Sequence, residues 1–258
     1  MEICKHKDVC GGCLYQGIEY EEQVELKGKT VLDLLNDKGI RYGEYLGIEG
    51  SPQITGYRNK MEYTFGDEVK DGDMTLGMHK RGQFMSVVTV DECMLVDPDF
   101  NKILSATLEF CNERGYKAYH KRRHDGLMRN LIVRKGERTK ELLISIVTTT
   151  LADFDDEAFK NMLLGLPLSN TIVGILHTYN DNISDKVTCE RLETIYGRDY
   201  YRESILGLQF NVSLYSFFQT NISAVERLYT EALEMIDDVE GKTVFDLYCG
   251  TGTITQAL

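Results

Sequence analysis

VFDLYCGTGT, Val244–Thr253, reads as a short apolar strand that ends beside an acid, Asp246, and turns through a glycine loop into a helix. Gly250 and Gly252 let the backbone approach a ligand closely, and a helix opening there aims its free N–H groups at the loop. A dinucleotide fingerprint asks for a third glycine at 255, where Thr255 stands. The spacing therefore predicts the start of a Rossmann-like α/β unit with another ligand. Just upstream, Asn221–Ile236 places Ile222, Val225, Leu228, Tyr229, Ala232 and Ile236 at helical spacing, which predicts an amphipathic helix packed on a core.

Further back the chain is strand-rich. Strands are expected at Phe210–Leu214, Thr171–His177, Glu141–Thr148 and Asn130–Arg134, with a helix near Asp155–Leu164. Asp97-Pro98 opens a second helix, with Asp as N-cap and Pro in the first turn, and Gly115 ends it. Tyr57–Phe65, Thr75–Met78 and Met85–Val90 carry β-branched and aromatic residues between turn signals such as DGD. Glu19–Lys38 reads as a helix with Val24, Val31, Leu34 and Leu35 on one side and Gly39 past its end. Neither repeats nor low-complexity linkers interrupt the chain.

At the N-terminus stands CKHKDVCGGC, with Cys4, Cys10 and Cys13 in a C-x5-C-x2-C triplet. Gly11 and Gly12 permit a tight turn that aims sulfurs at one centre. Thiolates so spaced bind zinc or an iron–sulfur cluster. Cys93, in VTVDECML, is the candidate fourth ligand, because the other cysteines have plainer explanations. Cys111 lies on the apolar face of the helix after Asp97, Cys189 stands alone, and Cys249 reads as a small packed side chain in the glycine loop. A disulfide framework fits poorly with a long chain holding seven cysteines.

The net charge is −12, which by itself argues against nucleic acid. Its distribution argues otherwise: Arg114–Lys140 holds ten Lys and Arg against Asp125 and Glu137, a net +8 that leaves −20 for the rest. A basic stripe on an acidic body is one form of RNA footprint, and a solvated pair of strands is the plainer alternative. No apolar stretch approaches a membrane span and no leader precedes the cysteines, so a cytoplasmic protein without a membrane partner is expected.

An acid at a strand end followed by G-x-G is the pattern of S-adenosylmethionine (SAM) methyltransferases. Five strings, CKHKDVCGGC, GYRNKMEYTFG, LGMHKRGQF with VDEC, YSFFQTN and VFDLYCGTGT, follow one another across nearly the whole chain. Together they resemble the iron–sulfur class of RNA uracil-C5 methyltransferases, its 23S rRNA branch above all. The resemblance implies a [4Fe-4S] cluster on Cys4, Cys10, Cys13 and Cys93, and SAM contacts at Gln219, Tyr248 and Thr253 beside Gly250 and Gly252. It implies an α+β architecture: an iron–sulfur segment and helix over 1–45, a β-rich RNA-facing domain over 46–206, and the first part of a Rossmann-like methyltransferase domain over 207–258. RNA is the expected partner, rRNA before tRNA. Lys121, Arg122 and Arg123 are the leading phosphate contacts, with Tyr116, Tyr119 and His120 as a stacking surface. Arg58 and Lys60, then Lys80 and Arg81, are of second rank.

The family's nucleophilic cysteine and catalytic carboxylate match no residue here and are expected beyond 258, so the chain is expected to be an incomplete and inactive piece of the enzyme. A radical-SAM enzyme is disfavoured by the five-residue first gap and by a fourth cysteine that closes the site. A ferredoxin-like carrier gives no role to SFFQTN or the glycine loop. The non-enzyme alternative is a metal- or cluster-stabilised RNA-binding module, for which the cysteines and the basic segment suffice.

Overall fold

The computed structural model describes residues 2–184, 187–236 and 239–258. Its centre is a seven-stranded sheet made of β1 (Lys60–Asp67), β2 (Met74–Lys80), β3 (Gln83–Thr89), β4 (Met128–Lys135), β5 (Glu141–Thr148), β6 (Thr171–Tyr179) and β7 (Arg191–Gly197). The strand order is β3-β2-β1-β4-β5-β6-β7. Every neighbouring pair is antiparallel except β5 and β6. A parallel pair needs a crossover, and the helix between them in sequence, Asp156–Leu164, provides it. Asp155 caps that helix by accepting the Ala158 N–H at 3.0 Å.

The sheet is covered on both faces, which explains the near-continuous burial of its central strands. All eight residues of β4 are buried. Leu131 and Val133 point into one core with Phe100, Ile103, Leu104, Phe159 and Leu163. Those partners come from the helices Pro98–Glu113 and Asp156–Leu164. Ile132, Leu143 and Leu176 point the other way, into a second core. This second core is closed by the hairpin of β8 (Tyr200–Ile205) and β9 (Leu208–Ser213), through Tyr201, Phe210 and Val212, and by the helix Ile222–Glu234. The expected domain boundary between 206 and 207 falls in the turn of that hairpin.

Numbered in chain order, the helices are α1 (Tyr20–Asp37), α2 (Pro98–Glu113), α3 (Asp156–Leu164), α4 (Ile222–Glu234) and α5 (Thr253–Ala257). The N-cap of α2 is as expected: the Asp97 carboxylate accepts the Asp99 N–H at 3.0 Å, with Pro98 at the first position. Cys111 is fully buried on its inner face.

Two expectations need correction, at Thr243–Leu247 and at Cys249, and a third element differs in its packing. The helix α1 forms as expected, but its apolar side is largely uncovered: Val31 is 50% and Leu34 57% exposed, and the helix is buried only at Gly28. A Cβ at Gly28 would meet the Tyr45 hydroxyl at 2.7 Å, so the close approach of the following segment selects glycine there. Thr243–Leu247 is not a strand. A strand is defined by ladder bonds to a neighbour, and no described residue pairs with it, so Phe245 and Leu247 stand exposed. Cys249 is likewise exposed rather than packed. Strands β7 and β8 are additional to those expected.

Candidate functional site

The cysteine triplet sits in a turn-rich lobe, residues 4–18, with no strand or helix of its own. Short-range bonds shape it: Lys7 N–H to Cys4 O at 3.1 Å and Cys10 N–H to His6 O at 2.8 Å. The lobe is stitched to the β2–β3 turn. Gly11 donates to His79 O at 2.9 Å, and Arg81 N–H donates to Val9 O at 2.8 Å. A Cβ on Gly11 would lie 2.9 Å from that same His79 oxygen, so a side chain there would push the lobe off the hairpin. The Arg81 guanidinium adds a clamp, with one nitrogen 2.7 Å from Cys13 O, 3.3 Å from Lys7 O and 3.4 Å from Cys10 O. Arg81, read from sequence as an RNA contact, is thus a fastener of the cysteine lobe.

Cys93 reaches the same place from the loop before α2. Asn101, on that helix, brackets its backbone: the side-chain oxygen accepts the Cys93 N–H at 3.1 Å and the amide donates to Cys93 O at 3.2 Å. No spacing rule marks Asn101 in the sequence. Cys4, Cys10, Cys13 and Cys93 line one cavity of about 110 Å3 whose wall includes Met61, Met78, Val90 and Leu95. All seven cysteines are free thiols. Burial, and then the proximity of the other cysteines, raises the Cys13 thiol, and burial is the first cause at Cys10. Cys93 is pushed up to about 11, mostly by burial, against a Leu95 N–H that favours its thiolate. Arg58 lines the cavity and favours the Cys13 thiolate. Among the described residues no group of three or more His, Cys, Asp or Glu side chains stands close enough to hold a single metal ion. One tetrahedral zinc would draw its sulfurs to about 3.8 Å from each other.

The expected SAM contacts fall in two segments. Gln219 precedes α4, and Asn59 holds that stretch: its N–H donates to Thr220 O at 3.0 Å and its side chain to Gln219 O at 3.1 Å. The glycine loop lies before α5, with Gly250 and Gly252 at positive φ of 56° and 72°. Thr253 donates to the Tyr229 hydroxyl of α4 at 3.2 Å, which ties the loop to the helix that follows Gln219. Tyr248 is fully exposed, also at positive φ.

Much of the basic segment is spent inside the fold. Arg129, Arg134 and Lys135 are buried. Arg129 donates to Asn180, Asn182 and Ser184 carbonyls. Lys135 pairs with Asp97 at 2.8 Å and Glu137 at 2.6 Å. Tyr116 packs among Phe110 and Phe154 rather than facing solvent as a stacking surface. Outward lie Arg114, Lys117, Arg138 and Lys140, the last two paired with Glu226 and Glu137, and the loop 120–125. There Lys121 lies 4.7 Å over the Phe84 ring, Arg123 pairs with Asp71 and Asp125, and His120 accepts the Arg122 N–H. Tyr119, with its hydroxyl 3.0 Å from His124 Nδ1, belongs to the same end. Lys60 pairs with Glu62 at 2.6 Å and Lys80 with Glu68 at 2.9 Å.

No family model matches the chain. Over 97% of its length it is 50% identical to a protein named as an uncharacterised RNA methyltransferase of Caldanaerobacter subterraneus subsp. tengcongensis, of which it covers 56%. It is 48% identical over 98% of its length to another so named in Clostridium acetobutylicum, again covering 56%. Among solved structures it resembles the tRNA (uracil-54, C5)-methyltransferase of Pyrococcus abyssi in complex with S-adenosyl-L-homocysteine. The TM-score is 0.73 at 25% identity, over 95% of this chain and 55% of that one. The chain spans a little over half the length of these relatives. In sequence and in fold it is similar to proteins named RNA methyltransferases, over a stretch equal to about half of such a protein.

Proposed function

We propose that this chain forms the cysteine-bearing and RNA-facing part of an enzyme that transfers the methyl group of SAM to carbon 5 of a uridine. The observation that carries the reading is the near-full-length similarity to proteins named RNA methyltransferases, joined to the fold of one that acts on carbon 5 of uracil. Carbon 5 of uracil is a weak nucleophile. A thiolate adding to carbon 6 pushes an electron pair into the ring. Carbon 5 then takes the sulfonium methyl and S-adenosylhomocysteine leaves. A base removes the carbon-5 proton and the thiolate is expelled. The family resemblance assigns that thiolate and base to no residue of this chain, and on this reading the chain alone does not turn over. Gln219, Tyr248, Gly250, Gly252 and Thr253 are the proposed donor contacts. The Thr253–Tyr229 bond and the Asn59 anchor support this reading, because one ties the glycine loop to α4 and the other fixes the residues that lead into the same helix.

Cys4, Cys10, Cys13 and Cys93 are the proposed ligands of a [4Fe-4S] cluster. The supporting observations are the shared chamber with its apolar wall, and backbone N–H groups already set toward sulfur: Gly12 N lies 3.3 Å from Cys10 Sγ. Bound there, such a cluster supplies a covalent tie between the N-terminal lobe and the loop before α2. For the substrate, the motif resemblance favours 23S rRNA, while the likeness to an enzyme named for tRNA uracil-54 favours tRNA as the second reading. The workplace of such an enzyme is the cytoplasm. Among the described residues no helix is long and apolar enough to cross a membrane.

The test is transfer of radiolabelled methyl groups to rRNA and tRNA transcripts. The chain would be compared with a protein extended to the length of its relatives, both purified without oxygen and assayed for iron and sulfide. Labelled 5-methyluridine from the extended protein only is the expected result. Turnover by the short chain would show the catalytic residues misassigned. No turnover by an extended, iron-loaded protein on either RNA would leave only the RNA-binding module.

A further inference from the structure

Beside the cysteine chamber runs a second, larger groove of about 410 Å3. The two share Gly12, Cys13, Gln16, Arg58, Met94 and Leu95 as a common wall. The rest of the groove comes from Glu2, Leu14 and Tyr15 of the N-terminal lobe, from α1, from the loop 51–57 and from Asn221 at the start of α4. Its chemistry differs from that of the acidic surface around it. Tyr15, Tyr20 and Tyr57 contribute rings, Lys27 and Arg58 contribute cations, and Glu2 is the one carboxylate in the lining.

The cations are not consumed by the fold. Arg58 spends its Nε on Lys60 O at 3.0 Å, and no carboxylate pairs with it or with Lys27 among the described residues. The Lys27 ammonium rests 5.0 Å from the centre of the half-buried Tyr15 ring. The far wall is held in place: Tyr20 accepts the Ser51 N–H, and Asn221 donates to the Ser51 hydroxyl at 3.0 Å. The groove is thus a braced channel with rings, carboxamides and two cations against one carboxylate, and Tyr15, Tyr20 and Lys27 in it belong to none of the sequence motifs.

We propose that this groove binds a nucleotide of the RNA strand that flanks the methylated one, with the base against Tyr15 and the phosphate at Lys27 and Arg58. This rests on the reading of the chain as part of an RNA methyltransferase. Unstacked bases are taken up by tyrosine rings and cationic planes, and carboxamides such as Gln16 and Gln53 read their edges. The occupant is a flanking nucleotide because Gln219 and the glycine loop, where the methyl donor is placed, do not line the groove.

The experiment measures binding of a short, unstructured oligoribonucleotide to the 258-residue chain as a function of salt. Variants Tyr15→Ala, Tyr15→Phe and Lys27→Glu are compared, with circular dichroism to confirm folding. Tyr15→Ala is expected to weaken binding about tenfold and Tyr15→Phe to leave it near the parent value. Lys27→Glu should lower the slope of log affinity against log salt by about 0.7, one single-strand phosphate contact. A 4-thiouridine oligonucleotide should cross-link to peptides containing Tyr15 or Tyr57, a readout that stands even if a variant fails to fold. If the parent binds RNA and all three variants match it, with cross-links elsewhere, the groove assignment is overturned while the proposed function stands. Equal losses in Tyr15→Ala and Tyr15→Phe would also overturn it, since stacking needs only the ring. Free UMP or AMP binding as tightly as the oligonucleotide would reassign the groove to a mononucleotide. No RNA binding by the parent chain would remove the functional reading itself, and the groove with it.

Discussion

Replacing Arg134 with alanine should destabilise the protein by about 3–5 kcal/mol. Arg134 is fully buried in β4, and its Nη1 lies 2.8, 2.7 and 2.8 Å from the carbonyl oxygens of Ser213, Leu214 and Ser216. One Nη carries two hydrogens, so the three acceptors share them. Two hydrogen bonds from a charged donor are worth about 1.5–3 kcal/mol each. Truncation also leaves the carbonyls inside a space that Tyr201, 5.3 Å from the guanidinium, no longer shields. Against this runs the release of a desolvated cation, whose protonation burial already disfavours. Removing one partner of a buried charged contact costs about 3–5 kcal/mol on balance. With a urea slope of about 3 kcal/mol/M, the unfolding midpoint should fall by about 1–1.7 M. Arg134→Lys should lose less, because an ammonium keeps the charge but not the planar fork. The carbonyls belong to the stretch that leads into Phe217–Gln219, so hydrogen exchange there should accelerate in Arg134→Ala before global unfolding. A loss below about 1 kcal/mol, or an alanine variant no worse than the lysine one, would refute the view that this arginine holds the segment before α4 to the sheet.

Asn101→Ala should free the Cys93 loop without touching a thiol; the expected outcome is a lower iron and sulfide content in anaerobic preparations and faster exchange at the Cys93 amide, and wild-type iron retention would show the bracket to be dispensable. Asp97 is held below the usual aspartate range: burial works to raise it, but the Lys135 hydrogen bond, the Asp99 N–H and Asn170 outweigh burial. A depressed carboxyl stabilises the fold above its unfolded value, near 3.8, and loses that contribution as pH falls through the folded one. Asp97→Asn should therefore lower the melting temperature at neutral pH and flatten its fall below about pH 4; parallel pH profiles would contradict this. Changing Lys121, Arg122 and Arg123 together to Glu should weaken RNA binding and reduce its salt slope by about 0.7–2, and an unchanged slope would mark the loop as a solvated turn.

The parts of the fold legible in the sequence are those where local chemistry and burial agree. The caps at Asp97 and Asp155 and the apolar runs of β4, β5 and β6 are of this kind. β7 escapes because it is an edge strand with almost no buried side, so it has no alternation to read. β8 escapes for a subtler reason. Its inner face is Tyr201, Glu203 and Ile205, and a buried glutamate breaks the apolar pattern. Glu203 is tolerated inside because it accepts the backbone N–H groups of Glu137, Arg138 and Ser204. At the site, the sequence marks Cys4, Cys10, Cys13 and Cys93, which line one cavity, but not the residues that hold their loops there. Arg81 and Asn101 act through backbone carbonyls and amides of distant segments, which no spacing announces. The charge count misled in the opposite direction, since three of the ten cations of Arg114–Lys140 serve as internal braces of β4 rather than as surface.

The cysteine chamber is assembled from three pieces of chain made at different times. Eighty residues separate Cys13 from Cys93, and the Asn101 bracket comes later still. At about 5–20 residues per second on the ribosome, the first three thiols wait roughly 4–16 s before the fourth wall of their chamber is made. Throughout that interval nothing built from later sequence shields them, and disulfide chemistry on the scale of seconds to hours can reach them. The nascent chain therefore holds three uncovered thiols for that interval, where the finished fold half-buries them in a shared cavity, and its yield should respond to oxidants given during synthesis.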